Sequence, residues 1–351
     1  MINLRFTGAI REAINQRPPA WSDWRWQAEH VITDMGSLQQ VLNLPQALHD
    51  SAMLAVDRYP LRVTPYYLAL VQAPAFSDPI LRQFLPAAAE VRDCDGAVAD
   101  PFKERQNSPV PGLIQRYHDR AVFALQHPCP TLCRHCFRKH LWAVGRRQEP
   151  HEYIDDAVEY LGRQPQIREI IVSGSEPLML EDDALAEIVA RLSDIPHIEV
   201  IRIATRLLAT LPQRITDDLC SVLAGFNPVW FVAHFNHPRE LTEASAVACE
   251  RLCGAGIPVV SQTVLLKGVN DDVATLRELF TGLLRLRVKP YYLFHVDPAA
   301  GAMHFRVSVD RGRRIMAALR ATTSGLAIPT YAADIPGTAH KTALISQDFE
   351  L

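Results

Sequence analysis

Short apolar runs and amphipathic stretches alternate from residue 121 onward. "AVFALQH", "IREIIVSG", "HIEVIRIAT", "PVWFVAHF", "IPVVSQTVLL" and "KPYYLFHV" are compact, apolar and rich in β-branched or aromatic residues, as strands are. Between them, "DDALAEIVARLSD", "TDDLCSVLAGF", "TEASAVACERLCGAG" and "DDVATLRELFTGLLRLR" carry apolar residues at helical spacing. "SVDRGRRIMAALRATTSG" follows as a further helix and "AIPTYAA" as an extra strand. Strands that alternate with helices imply a parallel sheet. The predicted fold is α/β, a partial (β/α) barrel of about six parallel strands. The first hundred residues read mostly helical. "WSDWRWQAEHVITDMGSLQQVL" and "LRVTPYYLALVQ" are the clearest helical stretches, and "DPFKERQNSPVPGLIQRYHDR" reads as an irregular connector. The expected division is a helical N-terminal region over 1–105 and the barrel over 106–351, which ends in a short C-terminal segment.

The polar and unusual stretches sit just after strands: a cysteine loop, then "SGSEP", "ATR", "HFNHP" and "HVDP". In a parallel barrel these positions converge on the C-terminal rim, where chemistry is built.

Composition narrows the picture. The chain has 351 residues, 48% hydrophobic and 21% charged, with a formal net charge of -3, enough for a sizeable core. That charge gives no support for nucleic-acid or membrane-surface binding. "MINLRFTGAIREAINQ" lacks the apolar run of a secretory signal, and nothing is long and apolar enough for a membrane span. The expected location is the cytoplasm. In a reducing compartment clustered thiols point to metal or redox chemistry rather than disulfides.

Cys129, Cys133 and Cys136 stand in "CPTLCRHCFRKH" with the spacing C-x3-C-x2-C. Cys94, Cys220, Cys249 and Cys253 are scattered and read as ordinary core or surface thiols. A structural zinc would need a fourth ligand, from His127, His135 or a distant cysteine. Three thiolates also suit a four-iron, four-sulfur cluster with one iron left open.

The C-x3-C-x2-C loop after the first barrel strand resembles that of radical S-adenosylmethionine (SAM) enzymes. In that family the open iron chelates the amino and carboxylate groups of SAM. The likeness then narrows. "WSDWRWQ", "TPYYLALV", "NSPVPGLIQRYHDR", "CRHCFRK", "PQRIT", "HFNHP", "QTVLLKGVND", "PYYLFHVD" and "TSGLAIPTY" resemble, in order, the pattern of the lysine 2,3-aminomutase family. That resemblance implies a [4Fe-4S] cluster on Cys129, Cys133 and Cys136, together with SAM and pyridoxal 5′-phosphate (PLP). Zinc is not expected, because Asp272 stands where longer members carry a zinc-site cysteine and the chain ends soon after Lys341.

The resemblance implies further roles residue by residue. Lys341 in "DIPGTAHKTAL" would hold the PLP aldehyde. Arg116 and Arg120, expected one helical turn apart with Tyr117 between them, would clamp its phosphate. Ser173, Gly174 and Glu176 in "SGSEP" would hold SAM, with Glu176 accepting from the methionine ammonium. Thr205, Arg206, His234 and Gln262 would contact SAM from later strand ends. His234 and His237 also read as an H-x-x-H metal pair without an evident third ligand. Arg138 would fork onto the substrate's α-carboxylate, and Asp297 and Asp334 would grip its side-chain ammonium.

Some positions depart from the family pattern: Ser175 for a glycine, Thr338, Ala339 and His340 where glycines are usual, and Ala233 and Ser261 for Thr and Asn. The implied activity is a 2,3-aminomutase that moves the α-amino group of a cationic L-amino acid, preferably lysine, to C3. Arginine 2,3-aminomutase and the lysine aminomutase that serves translation-factor modification are alternatives within that chemistry. A catalytically inactive iron–sulfur or zinc protein is the alternative outside it. Expected partners are the amino acid and an external electron donor, with no nucleic acid and no membrane; a homo-oligomer is left open.

Overall fold

The computed structural model describes residues 4–344 except 93, 126–128, 143–148 and 227. Nine strands form one sheet in chain order: β1 (Leu113–Ile114), β2 (Arg120–Leu125), β3 (Glu169–Gly174), β4 (Val200–Thr205), β5 (Val229–His234), β6 (Val259–Leu265), β7 (Lys289–His295), β8 (Thr330–Ala333) and β9 (Thr342–Ala343). Each strand from β2 to β8 pairs in parallel with the next. The two-residue strands β1 and β9 pair antiparallel at the two ends. The barrel therefore has seven parallel strands, because "AIPTYAA" joins it as β8, and it stays open between β1 and β9.

Openness changes the burial pattern. On β2, Ala121, Phe123 and Leu125 are buried with Ile170 and Val172 of β3 and Ile201 and Ile203 of β4 in the core shared with the outer helices. Arg120, Val122, Ala124, Ser173, Arg202, Ala204, Gln262, Tyr292 and Phe294 alternate with them and are only half-buried. Continuous apolar strands are the expectation for a closed parallel sheet; alternation appears because the concave face is free to line a site. The helices start where caps permit. Thr216, Thr242, Asp272 and Ser308 each accept a backbone N–H in the first turn of their helix. Asp272, expected at the position of a zinc-site cysteine, is one of these caps.

The N-terminal helices are more broken than their composition suggests. The tryptophan stretch divides into Pro19–Ser22, Trp24–Glu29 and Met35–Leu42, because Asp23 and Asp34 cap new starts. Only Pro65–Leu68 of "LRVTPYYLALVQ" is helical. Thr64 caps it and, as the residue before a proline, is kept out of the helical region, with φ -71 and ψ 148; Val63 just before it bridges Ile32. This region has its own core around Leu38, Tyr67 and Phe84. A buried polar seam joins it to the barrel: the Thr64 hydroxyl donates to Thr210 O at 2.6 Å, and Tyr67 donates to Glu240 at 2.6 Å. Among the described residues no helix is long and apolar enough to cross a membrane.

Candidate active site

The cysteine loop leaves the end of β2. Cys129, Cys133 and Cys136 are half-buried thiols. Cys136 N donates to Cys133 O at 2.9 Å, which folds two of the thiols into one turn. Burial pushes the Cys136 thiol up to about 11, and the neighbouring Cys133 adds to the shift. Arg206 Nη1 donates to the Cys133 sulfur at 2.7 Å. Among the described residues no three His, Cys, Asp or Glu side chains close into a finished metal site. What fits an iron–sulfur cluster is the donor chemistry: three thiols on one loop, with a guanidinium donating to one sulfur. His127 lies outside the described residues. His135 is buried against Asn236 and His234, so it serves their network.

A fully buried ion cluster fixes this loop. Arg134 donates to Glu90, to Pro60 O at 2.8 Å and to Tyr59 O at 3.0 Å. Lys139 donates to the same Glu90, to Arg134 O at 3.0 Å and to Gly301 O at 2.7 Å. Two cations from the cysteine loop thus share one carboxylate from the N-terminal region.

"SGSEP" follows β3, where Ser173 pairs with Ala124. Gly174 has φ +105, and a Cβ there would stand 2.4 Å from Leu125 O. The glycine is required by its approach to β2. Ser175 is not among the residues with positive φ, so serine is tolerated there. Gly174→Ala is expected to cost about 2 kcal/mol or more, read as a lowered thermal midpoint, while Ser175→Gly leaves it nearly unchanged.

Glu176 differs from expectation. Its carboxylate accepts from Arg206 N at 3.0 Å and Leu178 N at 3.3 Å, so it ties the end of β3 to the end of β4 instead of facing open space. Burial raises it to about 7. Thr205 likewise turns inward and accepts from Leu207 N at 3.0 Å. Arg206, expected to face SAM, sits in a buried network with Tyr67 (3.0 Å), Gln83 (2.6 Å) and Glu240 (3.0 Å) through Nη2 and reaches the cysteine loop with Nη1. His234 lies beside Gln262 in the sheet register and bonds Asn236 at 3.0 Å. Burial and the charge of Arg206 hold His234 down to about 4. His237 accepts from Arg239 N as a turn cap, and among the described residues no third ligand stands with the two histidines.

At the far side, β8 and β9 form a hairpin. Ala333 pairs with Thr342, which puts Asp334 directly across from Lys341. Lys341 Nζ lies 3.4 Å from Asp334. The turn between them is closed by Gly337 at φ +86 and by the Thr338 hydroxyl, within reach of Ile335 O and His340 O at 2.8 Å. Burial lowers the Lys341 ammonium, opposed by Asp334 and aided by Arg120 and Arg202.

Arg116 and Arg120 are not a helical turn apart. Arg116 precedes β2 and Arg120 opens it. Both still meet over Tyr117, with guanidinium carbons 5.6 and 4.4 Å from its ring centre. Arg116 forks onto Asp334 at 2.8 and 3.0 Å, and Tyr117 donates to the same carboxylate at 3.0 Å. These partners hold Asp334 below the usual carboxylate range. The Asp297 side chain, two residues past β7, makes no hydrogen bond or ion pair among the described residues. Burial and then Asp334 push it up to about 7. Arg138 pairs with Glu104 at 2.6 Å and donates to Gly174 O at 3.1 Å.

Residues 125–280 match the Radical SAM superfamily. Over 93% of its length the chain is 39% identical to the L-lysine 2,3-aminomutase of Clostridium subterminale, of which it covers 78%. The chain belongs to the lysine 2,3-aminomutase family. It is also 33% identical to the L-lysine 2,3-aminomutase of Haemophilus influenzae over 91% of this chain and 95% of that protein. It is 36% identical to the glutamate 2,3-aminomutase of Clostridioides difficile over 96% of this chain and 80% of that protein. As a member of this family of radical SAM isomerases, the chain carries the domain that implies a [4Fe-4S] cluster and SAM. Glu104, Gln83 and Glu240 join the site's networks although no sequence motif points to them; Tyr67 stands in "TPYYLALV", where the resemblance gives it no role. Each lies in the N-terminal region, in the connector or in a turn after a strand, and no spacing marks it.

Proposed function

We propose that the chain is a PLP-dependent 2,3-aminomutase of a cationic L-amino acid, with lysine preferred. The supporting observation is Asp297: a half-buried carboxylate without a hydrogen-bond or ion-pair partner among the described residues, pushed up by desolvation and by the nearby charge of Asp334. A partly desolvated, unpaired acid of this kind is relieved by a cation supplied with the substrate. The side chains around Lys341 fit PLP through their donors. Lys341 is half-buried beside Arg116, Tyr117 and Arg120 and is made easier to deprotonate by burial. When bound, the cluster and SAM supply the radical that takes hydrogen from C3, and PLP supplies delocalisation for the migrating nitrogen. Lys341 holds the cofactor, and Arg116 and Arg120 hold its phosphate. Arg138 holds the α-carboxylate. Asp297 and Asp334 hold the distal ammonium once Arg116 turns to the phosphate.

Anaerobic incubation with reductant, SAM and lysine, arginine, ornithine or glutamate tests this reading. β-Amino acids are expected from the cationic substrates, lysine foremost; turnover of glutamate alone would refute it. The acid pair also predicts a pH dependence. Asp297 is protonated below about 7 and binds a cation only when ionised. KM for lysine is therefore expected to fall as pH rises from 6 to 8, and Asp297→Asn is expected to flatten that slope.

A further inference from the structure

Arg138 anchors the substrate's α-carboxylate in the proposed function, and the role inferred for Glu104 rests on that assignment. A guanidinium has five N–H donors in a fixed plane. Nε donates to Glu104 at 2.8 Å and Nη2 donates to it at 2.6 Å, so Glu104 occupies the side-on edge. Nη1 donates to Gly174 O at 3.1 Å. These contacts use three N–H groups and leave one on each Nη nitrogen. The ring of Phe137 lies under the guanidinium, 4.7 Å from its centre to the central carbon. Phe137 is itself set edge-on against Phe102 at 4.8 Å, two residues before Glu104. Phe102 is buried, whereas Lys103 and Arg105 on either side of Glu104 are exposed. Glu104 is thus the one charged member of its local run that is turned inward, and it is pinned by its neighbour's ring.

The geometry points to Glu104 as a positioning residue for substrate recognition: it holds the side-on edge of Arg138, so that the Nη1–Nη2 edge is presented to the substrate α-carboxylate. Gly174 O fixes the same plane from the SAM-side loop, so the substrate anchor and that loop are set relative to one another through a single guanidinium. Glu104 does not touch the reacting atoms; it acts through Arg138. A carboxylate that merely occupied the substrate's place would have the opposite effect, since its removal would tighten binding.

The test uses the cofactor-loaded enzyme with Glu104→Gln, Glu104→Ala and Arg138→Gln. Steady-state kinetics with lysine gives KM and kcat. Calorimetry without SAM or reductant gives the affinity for lysine and for 1,5-diaminopentane, which lacks the carboxylate. Glu104→Ala is expected to raise KM and the lysine dissociation constant by about tenfold with kcat within about twofold, because loss of two charge-assisted bonds frees the plane. Glu104→Gln keeps the shape and one acceptor and is expected to recover most of that loss. Diaminopentane binding is expected to be unchanged in both. Tighter lysine binding in the Glu104 variants, or no change while Arg138→Gln weakens lysine selectively, would overturn the proposal and leave the role of Arg138 intact. If Arg138→Gln weakened lysine and diaminopentane equally, the carboxylate reading of Arg138 would itself be overturned. Should Glu104→Ala fail to fold, the isosteric Glu104→Gln decides.

Discussion

Lys341→Ala is expected to lower turnover by about a thousandfold or more and to abolish the visible band that PLP gives when it is joined to the protein. The chain has only five lysines: Lys103, Lys139, Lys267, Lys289 and Lys341. Lys103 and Lys267 are exposed. Lys139 is locked onto Glu90, and Lys289 donates to Pro290 O and Leu326 O at the opposite end of the sheet. Lys341 alone is half-buried on the concave side, between Asp334 and the rings of Tyr117 and Phe294. Borohydride reduction of the PLP-treated protein, followed by peptide mapping, should place the pyridoxyl group on the Lys341 peptide. A band that persists in Lys341→Ala, with the label on another lysine, would remove the basis of the assignment.

Glu90→Gln is expected to destabilise the fold by about 3–5 kcal/mol, the usual consequence of breaking a buried ion pair from one side. Arg134 and Glu90 have no exposed side-chain surface, and Lys139 has 1%. Burial already pulls Lys139 down to about 8 with Glu90 present. Without that carboxylate, two cations are left in the interior and the cysteine loop loses its tie to the N-terminal region. Urea unfolding measures the first effect. Iron content after anaerobic reconstitution measures the second and should fall with it. A stability loss below about 1 kcal/mol, the range of an exposed pair, would contradict this account.

The strand and helix rhythm from residue 121 onward was legible because each strand is a short apolar run and four of the outer helices open on a Thr, Asp or Ser cap. The cysteine triad stood out because its spacing is a motif, whereas Lys341 was singled out only through the family resemblance. Side-chain direction was not. Glu176 and Arg206 lie at strand ends, as expected of rim residues, yet partners remote in sequence turn them inward: Arg206 follows Tyr67 and Gln83, more than a hundred positions earlier. Arg116 and Arg120 meet over Tyr117, but through a turn into β2 rather than along a helix. Glu104 was hidden in a stretch whose composition says only that it is irregular. The helix expected over "LRVTPYYLALVQ" failed because Pro65 can begin a helix but keeps the residue before it extended.

The buried polar seam between the N-terminal region and the barrel bears on how this protein can change over evolutionary time. Arg134, Arg206 and Glu240 from the barrel half are neutralised or hydrogen-bonded by Glu90, Gln83 and Tyr67 from the other half. A barrel severed near residue 105 and joined to a different partner would carry those groups unmatched, next to its own cysteine loop. The two halves are therefore poor candidates for independent shuffling and should be inherited, duplicated or recombined as one piece.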